Sequence, residues 1–206
     1  VAFGGVPLKN GQIGQGGVGR HIQRESILAA CENGVKFISI SPLKSDMDDD
    51  VQAGWLTIRP NTDTALILAL CYELMDKQLY DKNFLDRYTV GFDKFSEYLR
   101  GTHDGVAKTA EWAAAICDMR ANDICRLAVQ MATHRTMLSL SWSLTRQAHG
   151  EQPFWAGVVL AAMIGQIGLP GGGFGFGYSA TNTVGNNFHR NMPIADLPQG
   201  SNPIKS

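Results

Sequence analysis

The stretch Trp55-Leu56-Thr57-Ile58-Arg59-Pro60-Asn61-Thr62-Asp63-Thr64-Ala65-Leu66-Ile67-Leu68-Ala69-Leu70 carries two kinds of order across one turn. Residues 55–59 read as a short strand that Pro60 closes, because proline has no N–H to give a ladder. From Asn61 or Thr62, both capping residue types, a helix is predicted to run to about residue 77, with Leu66, Leu70 and Leu74 at i, i+4 and i+8 on one face. A strand that hands over to a helix is the repeating unit of a parallel sheet with crossover connections.

The same unit recurs on either side. Residues 1–5 read as a strand entering a glycine turn, and residues 19–33 carry a helical pattern (Ile22, Ile27, Leu28, Cys31) that Gly34 stops. Residues 35–40 alternate, are β-branched and end at Ser41-Pro42, a second strand. Residues 46–50 hold four aspartates and read as a solvated loop. Short helices fit residues 82–88, 92–99 and 109–117, and a longer one fits 120–132. Residues 137–141 form a fourth strand, and residues 152–168 an apolar helix. No internal repeat interrupts the series. The predicted fold is α/β: a Rossmann-like parallel sheet with crossover helices, in three layers. Residues 1–180 are expected to form the domain and residues 181–206 an irregular tail.

Residues 165–177 contain seven glycines, with Phe174 and Phe176 between the last of them and Tyr178 just beyond. Flexible linkers are rich in Gly and Ser and lack interleaved aromatics. A packed turn is therefore predicted after Pro170, with the three rings at every second position able to share a face.

Composition narrows the function classes. The chain has 206 residues, 44% of them hydrophobic, and Lys+Arg 18 against Asp+Glu 19. That suffices for one α/β domain with its own core. A formal charge of −1 gives no broad footprint for nucleic acid, and no apolar run approaches the length of a membrane span. Cys31, Cys71, Cys117 and Cys125 lie apart within helical patterns, so free thiols are expected rather than disulfides or metal ligands. The histidines show no ligand spacing.

In parallel sheets, ligands bind beyond the carboxyl ends of the strands. Those ends read Gly4-Gly5-Val6-Pro7-Leu8-Lys9, Ser41-Pro42-Leu43-Lys44-Ser45, Pro60-Asn61-Thr62-Asp63 and Ser141-Trp142-Ser143-Leu144-Thr145-Arg146. They offer backbone amides, hydroxyls, a carboxylate at a helix start, an indole and a guanidinium. Glycine amides and helix starts suit phosphate, an aspartate suits the N–H edge of guanine, and arginine pairs with phosphate. Singly, Asp63 reads as a first-turn helix carboxylate and Trp142 as core; together the four ends favour a nucleotide-like ligand. The run Gly14-Gln15-Gly16-Gly17-Val18-Gly19 matches the dinucleotide fingerprint literally, but no strand precedes it directly and the next strand ends in Ser39-Ile40-Ser41 without the ribose-binding acid. It reads as a loop leading into a helix.

Several strings resemble a known family. They are Gly5-Val6-Pro7-Leu8-Lys9, Ile58-Arg59-Pro60-Asn61-Thr62-Asp63-Thr64-Ala65-Leu66, Asp104-Gly105-Val106-Ala107-Lys108-Thr109-Ala110-Glu111-Trp112-Ala113, Gly150-Glu151-Gln152-Pro153-Phe154-Trp155 and Met163-Ile164-Gly165-Gln166-Ile167-Gly168-Leu169-Pro170-Gly171-Gly172-Gly173-Phe174-Gly175. Their kind and order are similar to the dimethyl sulfoxide reductase family of molybdenum enzymes, in its trimethylamine-N-oxide, dimethyl sulfoxide and biotin sulfoxide reductase branch. The similarity runs from Val1 to about Tyr178.

The resemblance implies an oxidoreductase that holds molybdenum between two molybdopterin guanine dinucleotides and reduces S- or N-oxides, this stretch being the α/β domain that grips one dinucleotide. It places Gly4, Gly5 and Pro7 at the first turn near the phosphates, and Ser41, Pro42 and Lys44 at the nucleoside. Asn61 and Asp63 meet the guanine, and Trp142 and Arg146 lie along the pterin–phosphate portion. The glycine run would be structural. The chain departs from the family pattern at Phe3, where tryptophan is common, at Val6, where Asn or Asp is common, and across residues 11–19. By the same resemblance a serine upstream of this segment ligates the metal, and the second dinucleotide is held by a C-terminal domain. No catalytic or metal-binding residue is therefore expected within these residues, and the isolated domain is expected to hold no cofactor. Its partners would be the rest of the parent enzyme, a small oxide and an electron donor, with no nucleic acid. The alternative is a non-catalytic nucleotide-binding module of the same fold. The resemblance slightly favours the periplasm over the cytoplasm.

Overall fold

The computed structural model describes residues 1–9 and 22–177. Five strands form one parallel sheet: β1 (Ala2–Phe3), β2 (Ile38–Ile40), β3 (Gly54–Leu56), β4 (Met137–Leu140) and β5 (Gly173–Phe176). Their order is β3-β2-β1-β4-β5. Ala2 stands opposite Ser39 on one side and Ser139 on the other, and Phe3 opposite Ile40 and Leu140. From β1 the chain steps outward to β2 and β3, then returns across β1 to β4 and β5. This is the predicted doubly wound α/β arrangement.

Alternation along the strands divides the core. Phe3, Ile40, Leu138 and Leu140 are fully buried in the larger cluster, against α2 (Asp63–Asp76), whose Leu66, Ile67, Leu70, Cys71 and Leu74 are also fully buried. Three other helices close around α2: α5 (Ala110–Cys117), α6 (Ala121–Thr133) and α7 (Gln152–Ile164). This explains why α2 is apolar on most sides rather than along one stripe. Two short helices, α3 (Lys82–Tyr88) and α4 (Phe92–Leu99), complete that layer. On the opposite face Ala2 and Val6 join Met47 and Val51 beneath Ile27, Leu28 and Cys31 of α1 (Gln23–Glu32). Val6 is thus a core residue, which accounts for an apolar side chain where the family favours a polar one.

Several expectations shift. The third strand spans 54–56 rather than 55–59: Ile58 is buried, but the N–H of Arg59 donates to the Cys117 carbonyl at 2.8 Å, which draws the chain off the sheet toward the end of α5. Thr62 occupies the N-cap of α2, yet its hydroxyl donates backward to the Arg59 carbonyl at 2.7 Å and caps no helical N–H. Helix α7 stops at Gly165 (φ +73°) instead of 168, because the Asp81 N–H takes the Met163 carbonyl and the Asp81 side chain fills the space beside Gly165. Residues 46–50 are a tethered ledge of two single 3-10 turns rather than a solvated loop. Arg24 pairs with both Asp48 and Asp50, and Asp48 accepts the Asp50 N–H at 2.9 Å.

The glycine-rich run is packed, as predicted, but it makes a fifth strand as well as a turn. Gly173 (φ +92°) takes the Thr136 carbonyl and enters β5. Phe174 lies against Gly157 of α7. Phe176 is 55% exposed, with its ring 6.0 Å from Trp142 and 6.1 Å from Phe154. Tyr178, the fingerprint-like residues 14–19 and the tail from 181 lie outside the described residues. All four cysteines are free: Cys71 and Cys117 are buried, and Cys31 and Cys125 half-buried.

The string from Asp104 to Trp112 proves architectural. Lys108 is 3% exposed, its ammonium 2.5 Å from both the Asp104 carboxylate and the Val106 carbonyl and 4.6 Å from the centre of the Tyr98 ring. Thr109 then caps α5 by accepting the Trp112 N–H.

Candidate nucleotide site at the switch point

The winding reverses between the paired strands β1 and β4, so the connections beyond their carboxyl ends leave for opposite faces of the sheet, and the notch where such folds take ligands falls there. Gly4 and Gly5 floor it on the β1 side, with φ of +79° and +68°. A side chain has no room at either. A Cβ on Gly4 would lie 2.8 Å from the Ser141 Cβ and 3.2 Å from the Ser143 Oγ, and one on Gly5 would lie 2.4 Å from the Asp46 carbonyl oxygen. Across the notch the Ser143 hydroxyl donates to the Ser141 Oγ at 3.0 Å, while the Trp142 ring rests against Gly177. The Gly4 N–H donates to the Ile40 carbonyl and the Val6 N–H to the Asp46 carbonyl, each at 2.8 Å, so this turn is fixed against both β2 and the ledge.

The second strand end is braced. Ser41 is fully buried; its hydroxyl donates to Asp46 at 2.6 Å and its carbonyl accepts the Trp55 indole N–H at 2.9 Å. Pro42 and Lys44 are exposed beside it, and Pro7 is buried behind the β1 turn.

At the third strand end, Asn61 is exposed in a left-handed conformation (φ +66°), and Asp63 opens α2 with 3% exposure. Burial raises the Asp63 carboxyl from 3.8 to about 6, against a smaller opposing effect of its own backbone N–H. No cation among the described residues forms a salt bridge with it. A buried carboxyl at a helix start, held with so little compensation, costs stability unless a donor-bearing ligand completes it. The side chains of Lys44, Asn61 and Arg146 have no hydrogen-bond or ion-pair partner among the described residues.

The structure therefore brings Gly4 together with the Ser141–Ser143 turn, and Ser41 with the ledge below it. Asn61 and Asp63 stand farther off, beyond the end of the edge strand β3 at the start of α2, and Arg146 lies at the outer end of the turn after β4. Sequence reasoning missed three contributors. Ser143 was in view, and its two-residue offset from Ser141 is a turn signal; Asp46 and Trp55 act through tertiary contacts alone. Among the described residues no cluster of three or more His, Cys, Asp or Glu could hold a metal ion, and no helix is long and apolar enough to cross a membrane.

The fold is a doubly wound α/β domain whose strand order reverses between β1 and β4. The family model for molybdopterin oxidoreductase matches residues 18–204, and the chain belongs to that family. It is 46% identical over its whole length to biotin sulfoxide reductase of Cereibacter sphaeroides, of which it covers 28%. It is 45% identical over 88% of its length to the dimethyl sulfoxide/trimethylamine N-oxide reductase of the same organism, of which it covers 22%. A trimethylamine-N-oxide reductase of Salmonella typhi is 49% identical over 73% of the chain, which covers 18% of it. Acetylene hydratase from Pelobacter acetylenicus superposes with a TM-score of 0.60 at 28% identity, over 71% of this chain and 19% of that one. The chain thus spans under a third of each protein it matches. The branch expected from the sequence strings is the one found, and the similarity continues beyond Tyr178 into the tail. The relatives with curated names are oxidoreductases, and family membership implies a molybdopterin cofactor carrying molybdenum.

Proposed function

We propose that this chain is the domain that grips one molybdopterin guanine dinucleotide within a longer molybdenum enzyme that reduces S- or N-oxides. The observation that carries the reading is the buried carboxyl of Asp63 at the start of α2, whose own backbone N–H offsets only part of its burial, two strands along the same sheet from the left-handed Gly4–Gly5 turn. The glycines let the turn after β1 pack against Ser141 and Asp46 at the strand-order reversal, and the Asp63 carboxyl is a buried acceptor with no salt-bridge cation among the described residues. Both fit the group.

When bound, the cofactor would supply the redox chemistry for removing oxygen from an S- or N-oxide, with two electrons and two protons drawn from outside this domain. The chain's own residues bind and orient. The turn after β1 and the Ser143 hydroxyl border the diphosphate, the Gly4 and Val6 N–H groups being held by the Ile40 and Asp46 carbonyls. Pro42 and Lys44 border the nucleoside, with Ser41 buried beneath them and holding the strand end. Asn61 and Asp63 meet the guanine, whose N1–H and N2–H match a carboxylate's two oxygens. Trp142 and Arg146 lie along the pterin–phosphate portion, the guanidinium countering phosphate charge. Metal ligation, oxide binding and contact with an electron donor belong to other parts of the enzyme.

The test is nucleotide and metal analysis of the full-length enzyme. Acid hydrolysis should release two GMP per molybdenum, and Asp63→Asn should lower both contents by roughly tenfold or more, the loss of a charge-assisted pair. A pterin that releases no GMP would refute the dinucleotide. Unchanged GMP and molybdenum in Asp63→Asn would remove Asp63 from the site.

A further inference from the structure

Asp46 touches both cofactor-facing loops, and nothing about its type or spacing assigns it a role. Its backbone carbonyl accepts the Val6 N–H at 2.8 Å, which fixes the turn after β1. Its carboxylate accepts the Ser41 hydroxyl at 2.6 Å, which fixes the end of β2. Gly5 lets the two chains approach this closely, since a Cβ there would overlap the Asp46 carbonyl. Ser41 is held in turn from two more sides, by the Leu43 N–H on its hydroxyl at 3.3 Å and the Trp55 indole on its carbonyl. The 44–46 turn that carries Asp46 belongs to the ledge that Arg24 anchors to α1 through Asp48 and Asp50.

We propose that Asp46 is a positioning residue: a clasp that sets the separation between the β1 turn and the β2 end, and so the grip on the diphosphate and nucleoside of the dinucleotide. The inference rests on the cofactor reading above. The physical ground is that one residue satisfies a donor on each loop. Among the described residues the two loops are otherwise joined only at their base, where the Gly4 N–H donates to the Ile40 carbonyl at 2.8 Å, and by Lys9 approaching the same Asp46 carboxylate at 4.0 Å. Lys9 is 71% exposed, and such an ion pair adds little. A ligand seated across two loops is retained only while their spacing is held.

Asp46→Ala, Ser41→Ala and the double variant, made in the full-length enzyme, form a double-mutant cycle on cofactor retention. The readouts are the rate of pterin loss through repeated gel filtration, the melting temperature of the cofactor-free protein, and hydrogen exchange of the Val6 amide. Each single variant should lose cofactor about fivefold to tenfold faster than wild type, and the double variant no faster than either. Asp46→Asn should be rescued in part, because its amide oxygen can still accept the Ser41 hydroxyl. Val6 exchange should stay slow in all of them, because the carbonyl bond remains. Singles that lose cofactor at the wild-type rate, effects that simply add, or faster loss matched by an equal drop in the melting temperature of the cofactor-free protein would each overturn the clasp. A wild-type enzyme with no bound pterin nucleotide would overturn the cofactor reading itself, whereas a fully loaded wild type with indifferent Asp46 variants sinks the clasp alone.

Discussion

Replacing Asp63 with asparagine should make the cofactor-free chain more stable at neutral pH while weakening its hold on ligand. The Asp63 carboxyl is 3% exposed and burial lifts it from 3.8 to about 6. The folded state therefore holds a proton on Asp63 more tightly than the unfolded state does. Stability attached to this group is greatest below pH 4, falls as pH rises from about 4 to about 6, and is fully lost above that. At 1.36 kcal/mol per unit, a rise of about two units makes the ionised carboxyl roughly 3 kcal/mol unfavourable at pH 8. Asparagine has the shape of the protonated acid and no ionisation to suppress. Urea unfolding of both proteins, free of cofactor and followed by circular dichroism between pH 3.5 and 8, measures the difference. The gap in unfolding free energy should be small at the acid end and widen toward about 3 kcal/mol in favour of asparagine at pH 8. A gap constant with pH, or one that favours aspartate at pH 8, would refute the reasoning, because it would show the carboxylate already well compensated inside the fold.

Three further outcomes follow from the packing. Gly4→Ala forces a side chain into left-handed backbone against Ser141, and should cost about 2–4 kcal/mol in chemical denaturation. Gly173→Ala meets the same backbone problem (φ +92°) with Ile167 3.1 Å away; it should destabilise by about 1–3 kcal/mol and speed amide exchange along 174–176. Lys108→Met should lower stability by about 2 kcal/mol because the Val106 carbonyl loses its buried partner, whereas Lys82→Met, at an exposed pair with Asp86, should change it by less than about 0.5 kcal/mol. Thermal melting of the two variants side by side distinguishes a buried cation from a surface one.

The helices and the sheet were legible because their signals are local. Leu66, Leu70 and Leu74 mark the buried side of α2 whatever packs on it, and the apolar alternation of 35–40 marks a strand wherever it pairs. The errors arose where a distant residue decides. Residues 57–59 look like strand, but the Cys117 carbonyl takes the Arg59 N–H and ends the sheet early. Helix α7 could have continued past 165, had Asp81 not claimed its end. Gly173-Phe174-Gly175-Phe176 carries little intrinsic strand preference; pairing with β4 imposes extension on it. The site divides in the same way. Strand ends singled out Gly4, Gly5, Ser41 and Asp63 as candidates, because a parallel sheet exposes the ends of its strands on one edge. Asp46 was hidden within a run of aspartates that looks merely solvated, since its use depends on a glycine forty-one positions earlier.

The order β3-β2-β1-β4-β5 has a consequence in time as well as in space. The central strand is only Ala2 and Phe3, and its partners across the seam are Ser139 and Leu140. Residues 38–56 can bring β2 and β3 together across a short loop, and β4 and β5 are joined through α7 alone. The middle of the sheet must wait for segments well over a hundred positions apart to meet, which carries the largest loop-closure entropy of any pairing in the fold. The seam should therefore be the last part of the sheet to close and the first to open. Gly4 packs on Ser141 across that seam, so the glycine's fit there acts as a latch on the slowest step of assembly.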